Sequence, residues 1–138
     1  MKPISLLFAL PLLIAAADNG HPARVPLEKY LQAQATGQGE LIRQAFHADA
    51  KVLSIRDGKL MSLTAEEFAS RFAGKPAPDE AQRKRWIESV DVVGDTAYGK
   101  IVLDYPAAKL TDFMTLHKIN GEWRIVHKSF QSEPKSKQ

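Results

Sequence analysis

Apolar residues recur at intervals of three and four in the first part of the chain and form strand-like runs in the second part. The helical spacing predicts helices over residues 26–37, 41–46 and 64–72. The third begins with Thr64, and Glu67 three positions later completes the sequence pattern of a capping box. Strands are predicted on either side of Asp57-Gly58 and over residues 86–93, 96–104, 111–119 and 122–130. Helices followed by an antiparallel meander are typical of an α+β domain whose helices cover one face of a curved sheet.

The Asn120-Gly121 turn allows the two faces of the last hairpin to be assigned. Counting outward from a two-residue turn places Met114 opposite His127 and Asp112 opposite Ser129, all on one face. That face is otherwise apolar and is expected to cover the core. Asp112 and His127 are then diagonal neighbours, and a carboxylate and an imidazole are costly to bury unless they are paired or used. They are either a general acid–base pair or a structural hydrogen-bonded pair.

The preceding hairpin also has one face that is expected to be internal. The same count around Gly94-Asp95 places Trp86 opposite Leu103 on that inner face. The opposite face is partly apolar as well, with Ile87, Tyr98 and Val102. An apolar outer face predicts a contact with another surface, most simply a homodimer through this side of the sheet.

The first 17 residues have the pattern of an export signal. Lys2 precedes an apolar run over residues 4–17, which ends in three alanines and is followed by polar residues. As a helix this run would span only about 21 Å, less than the ~30 Å hydrocarbon core of a bilayer. We expect a periplasmic or secreted protein that leaves the membrane after signal cleavage, the alternative being an uncleaved anchor. The expected organisation is a signal peptide over 1–17, a lead-in over 18–25, a single domain over 26–133 and a flexible tail over 134–138.

Composition narrows the classes of function. The chain has 138 residues, of which 44% are hydrophobic and 25% charged, which suits one compact domain. It contains no cysteine, and this excludes disulfides, thiolate metal sites and cysteine nucleophiles. The 19 Lys and Arg against 16 Asp and Glu are a small excess, so nucleic acid is not an expected partner. No paired-histidine metal motif occurs, and neither a metal nor a cofactor is expected.

Three segments resemble the nuclear transport factor 2 superfamily, which includes SnoaL-like proteins. They are Phe-His-Ala-Asp-Ala at 46–50, the stretch 89–97, and the closing hairpin 111–128, which is similar to the lumazine-binding subgroup. The resemblance covers about residues 26–133. It implies a cystatin-like cone, in which a bent antiparallel sheet wraps on about three N-terminal helices and leaves a pocket at the open end. It also implies dimerisation through the outer face of the sheet.

The resemblance further implies that Asp, His or Tyr side chains that reach into the cone carry the function. The candidate catalytic residues are Asp112 and His127, and the candidate ligand-binding residues are Tyr30, His47, Asp49, Trp86 and Met114. The alternatives are purely structural roles, namely a local cap and turn for His47 and Asp49 and a core position for Trp86.

Three functions remain open at this point. The sequence favours an exported domain that holds a partly apolar organic ligand in the cone, and the subgroup's name implies a flat heteroaromatic molecule. An enzyme of isomerase, dehydratase or cyclase type that uses the His127–Asp112 pair is the alternative. A third possibility is an interaction module whose cone is filled by its own side chains.

Overall fold

The computed structural model describes residues 20–137, so the expected signal peptide lies outside the described residues. The helices are α1 (Arg24–Thr36), α2 (Gly39–Ala45) and α3 (Ala65–Ala69). The strands are β1 (Phe46–Arg56), β2 (Lys59–Thr64), β3 (Lys84–Val93), β4 (Thr96–Asp104), β5 (Ala108–Ile119) and β6 (Glu122–Pro134), with a short 3₁₀ turn at Glu80–Gln82 before β3. Within residues 20–137, none of the helices has the length and apolar character needed to cross a membrane.

Local signals set the ends of the helices. α1 ends at Gly37, whose left-handed backbone (φ 73°) lets its N–H donate to the carbonyl of Ala33. α3 begins with the predicted capping box, in which Thr64 Oγ1 accepts from the Glu67 N–H and Glu67 Oε1 accepts from the Thr64 N–H. Phe46, which the spacing predicts to end the second helix, is the first residue of β1.

The six strands form one curved, unclosed sheet in the order β2-β1-β6-β5-β4-β3. Neighbouring strands are antiparallel except β1 and β6, which run parallel. The helices pack on the inner face of the sheet around a core that includes Leu27, Tyr30, Ile42, Ile101, Met114, Leu116 and Ile125. This architecture is the predicted α+β cone.

A β-bulge in the last hairpin changes which residues of β6 face the core. The predicted pairing holds for the pairs nearest the turn, and then Val126 enters β6 as an extra, unpaired residue. Beyond Val126, Thr115 lies opposite His127 and Met114 lies opposite Lys128. The predicted pairing of Met114 with His127 is therefore wrong, because one inserted residue turns each later side chain to the other face.

A second bulge, at Glu88 in β3, has the same effect on Trp86. The predicted pairing holds next to the turn, but beyond Glu88 the residue opposite Trp86 is Val102 and not Leu103. Trp86 is 39% exposed. Trp86 therefore lies on the outer face of the sheet, whereas the sequence pattern predicted the inner face.

Candidate functional site

A lysine and an aspartate are buried together under the helices. Lys128 Nζ lies 3.1 Å from Asp112 Oδ1, and the two residues are 2% and 0% exposed. Tyr30 of α1 donates its hydroxyl to Asp112 Oδ2 at 2.7 Å. Removing a charged group from water costs several kcal/mol per ion in a real protein. A buried pair of this kind therefore depends on close mutual contact and on its neighbours.

The two carboxylate oxygens of Asp112 are satisfied unequally. Oδ2 accepts the Tyr30 hydroxyl. Oδ1 lies within ion-pair distance of Lys128 but accepts no well-aligned hydrogen bond from the described residues. Because buried polar atoms in folded proteins almost always have hydrogen-bond partners, Oδ1 is an acceptor with capacity to spare.

Aromatic rings surround the ammonium group of Lys128. Its Nζ lies 3.9 Å from the ring centre of Phe130, 5.3 Å from that of Phe68 and 5.7 Å from that of Tyr30. Burial lowers the pKa of Lys128, and the Asp112 carboxylate opposes this effect. Burial and the same carboxylate raise the pKa of Tyr30 well above its usual value, so Tyr30 is a neutral hydroxyl donor at neutral pH.

A chain of hydrogen bonds links Tyr30 to the surface. Gln34 Nε2 donates to the Tyr30 hydroxyl at 3.1 Å, and Gln34 Oε1 accepts from the Tyr105 hydroxyl at 3.3 Å. Arg85 Nε donates to the Tyr105 hydroxyl at 3.3 Å, and Glu80 accepts two hydrogen bonds from the Arg85 guanidinium. From Arg85 inward, each of these hydrogen bonds is donated to the next residue toward Asp112. The chain therefore holds the Gln34 amide and the Tyr30 hydroxyl in one orientation.

A cleft of about 440 Å³ opens beside these hydrogen-bonded residues, between the C-terminal ends of α1 and α3 and the loop that precedes β3. Gln34 and Phe68 both line it. Gln34 also bonds Tyr30, and Phe68 also lies against the Lys128 ammonium. A single layer of side chains therefore separates the cleft from the buried pair.

The lining of the cleft is aromatic on one side and positively charged on the other. The rings of Phe68 and Phe72 meet edge to face with their centres 5.3 Å apart. Arg71, Lys75 and Arg83 supply three positive charges. Arg83 is paired with the nearby Asp79 carboxylate, whereas neither Arg71 nor Lys75 forms an ion pair with any residue in 20–137. The cleft thus carries two positive side chains, Arg71 and Lys75, that have no carboxylate within ion-pair distance among the described residues, although the Glu67 carboxylate interacts with Arg71 at longer range.

The family of the chain follows from its match to residues 21–131, which spans most of its length and every element above except the last three residues of β6. The matching family is the one described as "Putative lumazine-binding". The chain belongs to this family. The resemblance read from the closing hairpin is thereby confirmed.

Solved structures support this fold, and one curated protein is similar in sequence. A nuclear transport factor 2-like protein of unknown function from Shewanella baltica is 26% identical, with a TM-score of 0.75 over 83% of this chain and 94% of that one. Another from Methylobacillus flagellatus is 26% identical, with a TM-score of 0.69 over 81% and 90%. The aldolase FrzH of a Cladobotryum species is 25% identical over 108 residues, 77% of this chain and 85% of that protein.

In this member of the lumazine-binding family, the structure brings together only part of the predicted site. Tyr30 and Asp112 are joined by a hydrogen bond. His127 is not beside Asp112, because the bulge places it opposite Thr115 on the other face of β6. The predicted His127–Asp112 acid–base pair is therefore not formed, and Lys128 stands in its place.

The other predicted ligand-binding residues lie elsewhere. His47 and Asp49 contact each other locally, with the Asp49 N–H donating to His47 Nδ1 at 3.1 Å, and neither lines the cleft. Met114 is buried in the core, and Trp86 lies on the outer face. Within residues 20–137, no group of three or more His, Cys, Asp or Glu side chains is arranged to hold a metal ion.

The sequence pattern missed Lys128 because a lysine in a strand is normally interpreted as facing solvent. One signal could have identified it. Sliding the hairpin register by one residue beyond Ile125 brings a lysine, rather than a histidine, next to the buried Asp112 carboxylate. Opposite charges on adjacent inward positions favour that register over the one without a bulge.

Proposed function

We propose that the protein binds a small organic molecule with a flat, partly apolar body and an anionic group, and that the ligand occupies the cleft beside Gln34. The observation that carries the proposal is the lining itself, which combines aromatic rings with Arg71 and Lys75, two positive side chains that form no ion pair with a described residue. The volume of about 440 Å³ falls within the range of about 300–1,000 Å³ found for small-molecule sites.

Three features support the orientation of the ligand. The edge-to-face rings of Phe68 and Phe72 offer an apolar surface for a flat molecule. Arg71 and Lys75 attract an anionic group at the mouth of the cleft. Gln34 offers a fixed amide at the inner end, since its position is held by hydrogen bonds on both sides.

A matched pair of fluorescent probes tests this proposal. 1-Anilinonaphthalene-8-sulfonate and N-phenyl-1-naphthylamine share the same aromatic body, and only the first carries a negative charge. We expect the sulfonate to bind more tightly, and we expect Arg71→Gln or Lys75→Gln to weaken it by about tenfold, equivalent to about 1.4 kcal/mol. The uncharged probe should change less than about twofold, because only a charge contact is lost.

Lys59→Gln is the control variant, since Lys59 is an exposed lysine at the start of β2 and does not line the cleft. It should leave both affinities unchanged. Equal affinity for the two probes, or equal losses in all three variants, would contradict an anion-binding role for the cleft.

An enzyme that acts on carbonyl compounds is the second candidate function. The name of the Cladobotryum relative favours it. So does the grouping of an amine, a carboxylate and a hydroxyl on Lys128, Asp112 and Tyr30. A model reaction of acetone with 4-nitrobenzaldehyde discriminates between binding and catalysis. Formation of one product enantiomer in excess, lost in Lys128→Met, would favour the enzyme, and a racemic background rate would favour binding alone.

We also propose that the protein is a homodimer formed through the outer face of the sheet. The rings of Tyr98 and Phe113 stack there with centres 6.2 Å apart, and the two residues are 37% and 41% exposed. Such an aromatic surface is typical of a contact between proteins. Phe113→Asp should convert the dimer to a monomer in size-exclusion chromatography with light scattering, whereas Val25→Asp, at an exposed apolar position on α1, should not. A monomeric wild-type protein would contradict the proposal.

Export is a further part of the proposed function, because the first 17 residues have the pattern of a signal peptide. The expected mature protein begins at Asp18. N-terminal sequencing of protein recovered from the periplasm or the medium tests this directly. Protein that is retained in the cytoplasm with residues 1–17 intact would contradict it.

A further inference from the structure

We propose that Lys128 is an amine nucleophile that condenses with the carbonyl group of an aldehyde or ketone entering from the cleft and forms an imine. The inference rests on the proposed ligand cleft, since the carbonyl compound has to approach through it. It assigns a covalent role to a side chain that the sequence pattern places on the solvent side.

The burial of Lys128 is unusual for a lysine. Long charged side chains normally extend their charged end to water, but Lys128 is 2% exposed. Among the described residues, Asp112 is its one ion-pair partner, and three aromatic rings lie close to its ammonium group. Because burial disfavours the charged form and lowers the pKa, the neutral amine is more accessible here than on an exposed lysine.

Two of these rings border open space. Phe68 lines the large cleft, and Phe130 lines a smaller cavity of about 70 Å³. Arg71 lines both cavities, so they are neighbours that share this side chain. Phe68 belongs to α3, a helix of only five residues. Because the Phe68 ring both lines the cleft and lies 5.3 Å from Lys128 Nζ, rotation of this side chain would connect the two.

The neighbours of Lys128 provide a place for the proton that must leave the amine. Asp112 Oδ1 lies 3.1 Å from Nζ and has spare capacity as an acceptor. Tyr30 holds the other oxygen of the same carboxylate, which keeps Oδ1 directed toward the amine. The ammonium passes a proton to Oδ1, and the freed lone pair of Nζ then attacks the carbonyl carbon as the π bond of the carbonyl opens. A proton moves from Nζ to the resulting oxygen anion and gives a neutral carbinolamine.

Loss of water completes the reaction. The proton on Asp112 returns to the departing oxygen, the C–O bond breaks, and the C=N bond forms as water leaves. The overall change converts an ammonium and a carbonyl compound into a protonated imine and water. Atoms and charge balance, and no oxidant, reductant or metal is required.

Reductive trapping on the wild-type full-length protein tests the proposal. The protein is incubated at pH 7 with propanal and sodium cyanoborohydride, and the propylated lysines are located by peptide mass spectrometry at successive times. We expect Lys128 to be labelled at least about tenfold faster than exposed lysines such as Lys51, because Asp112 Oδ1, 3.1 Å from Nζ, is placed to accept the proton that leaves the Lys128 amine. A buried lysine with only a structural role would be labelled last, and labelling of exposed lysines with Lys128 unmodified would overturn the inference.

Two variants complete the test, of which Lys51→Met is the matched control and Lys128→Met removes the proposed nucleophile. Lys51 lies opposite His127 in the neighbouring strand β1, and Lys51→Met should leave the fast labelling unchanged. Lys128→Met should remove it, and the wild-type time course alone decides the outcome if this variant does not fold. Unmodified Lys128 together with tight binding of the anionic probe would overturn the imine and leave the proposed binding function intact. Labelled Lys128 without probe binding would support the imine and contradict the anionic ligand.

Discussion

Breaking the buried pair of Asp112 and Lys128 is expected to destabilise the protein strongly. Either Asp112→Asn or Lys128→Met leaves the remaining charge inside the protein without its partner. Removal of one member of a buried pair typically costs about 3–5 kcal/mol. Removal of both members leaves no uncompensated charge, so the double variant is expected to be more stable than the sum of the single effects implies.

The distance between the two groups sets the size of the coupling. At 3.1 Å, and with an effective dielectric constant of about 20, two unit charges attract each other by about 5 kcal/mol. The cost of removing both ions from water offsets part of this attraction. Measured coupling energies between contacting residues are about 0.5–3 kcal/mol, and we expect this pair to lie at about 2–3 kcal/mol.

The assay is urea unfolding of the four proteins, followed by the fluorescence of the two tryptophans and by circular dichroism. The exposed pair of Glu88 and Lys100 is the control. Its atoms are closer, at 2.7 Å, but its side chains are 44% and 36% exposed, so its coupling should be below about 1 kcal/mol. A coupling at the buried pair that is no larger than this control would refute the reasoning.

Three further predictions concern a cap, a glycine and a tyrosine. Thr64→Ala should lower the free energy of unfolding by about 1 kcal/mol through loss of the capping box, and Ser62→Ala on the exposed strand β2 should change it little in the same urea assay. Gly37→Ala should cost at least about twice as much as Gly58→Ala. Both glycines have positive φ, but only at Gly37 would the added methyl clash with the Lys75 carbonyl oxygen. Equal losses would argue against this contact. Since the folded state keeps the proton of Tyr30 after the unfolded state has lost it, the wild type should lose up to about 1.4 kcal/mol of stability per pH unit above pH 10 relative to Tyr30→Phe. Parallel pH profiles of the two proteins would contradict a buried, protonated Tyr30.

The elements that the sequence predicted correctly depend on short-range physics. The capping box at Thr64 and the left-handed glycine at the end of α1 involve residues within a few positions of one another. The Asn120-Gly121 turn places β5 opposite β6 because its backbone matches the twist of paired strands. Alternation along the strands then indicated an inner face that contains Asp112, and Asp112 is fully buried.

The cleft could not be predicted in the same way. Its lining comes from the ends of two helices and from the loop before β3, which are distant in the sequence. The backbone contact that joins two of these parts runs from the Gly74 N–H to the Gly37 carbonyl at 2.8 Å. No local pattern marks that contact. The positive charges of Arg71 and Lys75 therefore read in the sequence as separate surface residues.

The sequence by itself determined the element order, the fold and the burial of Asp112, because helix caps, turn residues and alternation act over a few positions. Only the tertiary structure decided which partner Asp112 receives. In β6 one inserted residue, Val126, turns Lys128 inward and His127 outward. That bulge forms where β6 pairs with β5 on one side and, in parallel, with β1 on the other. Alternation of period two does not show where an unpaired residue is inserted in a strand. The sequence pattern therefore predicted the His127 imidazole beside Asp112, whereas the structure has the Lys128 amine there.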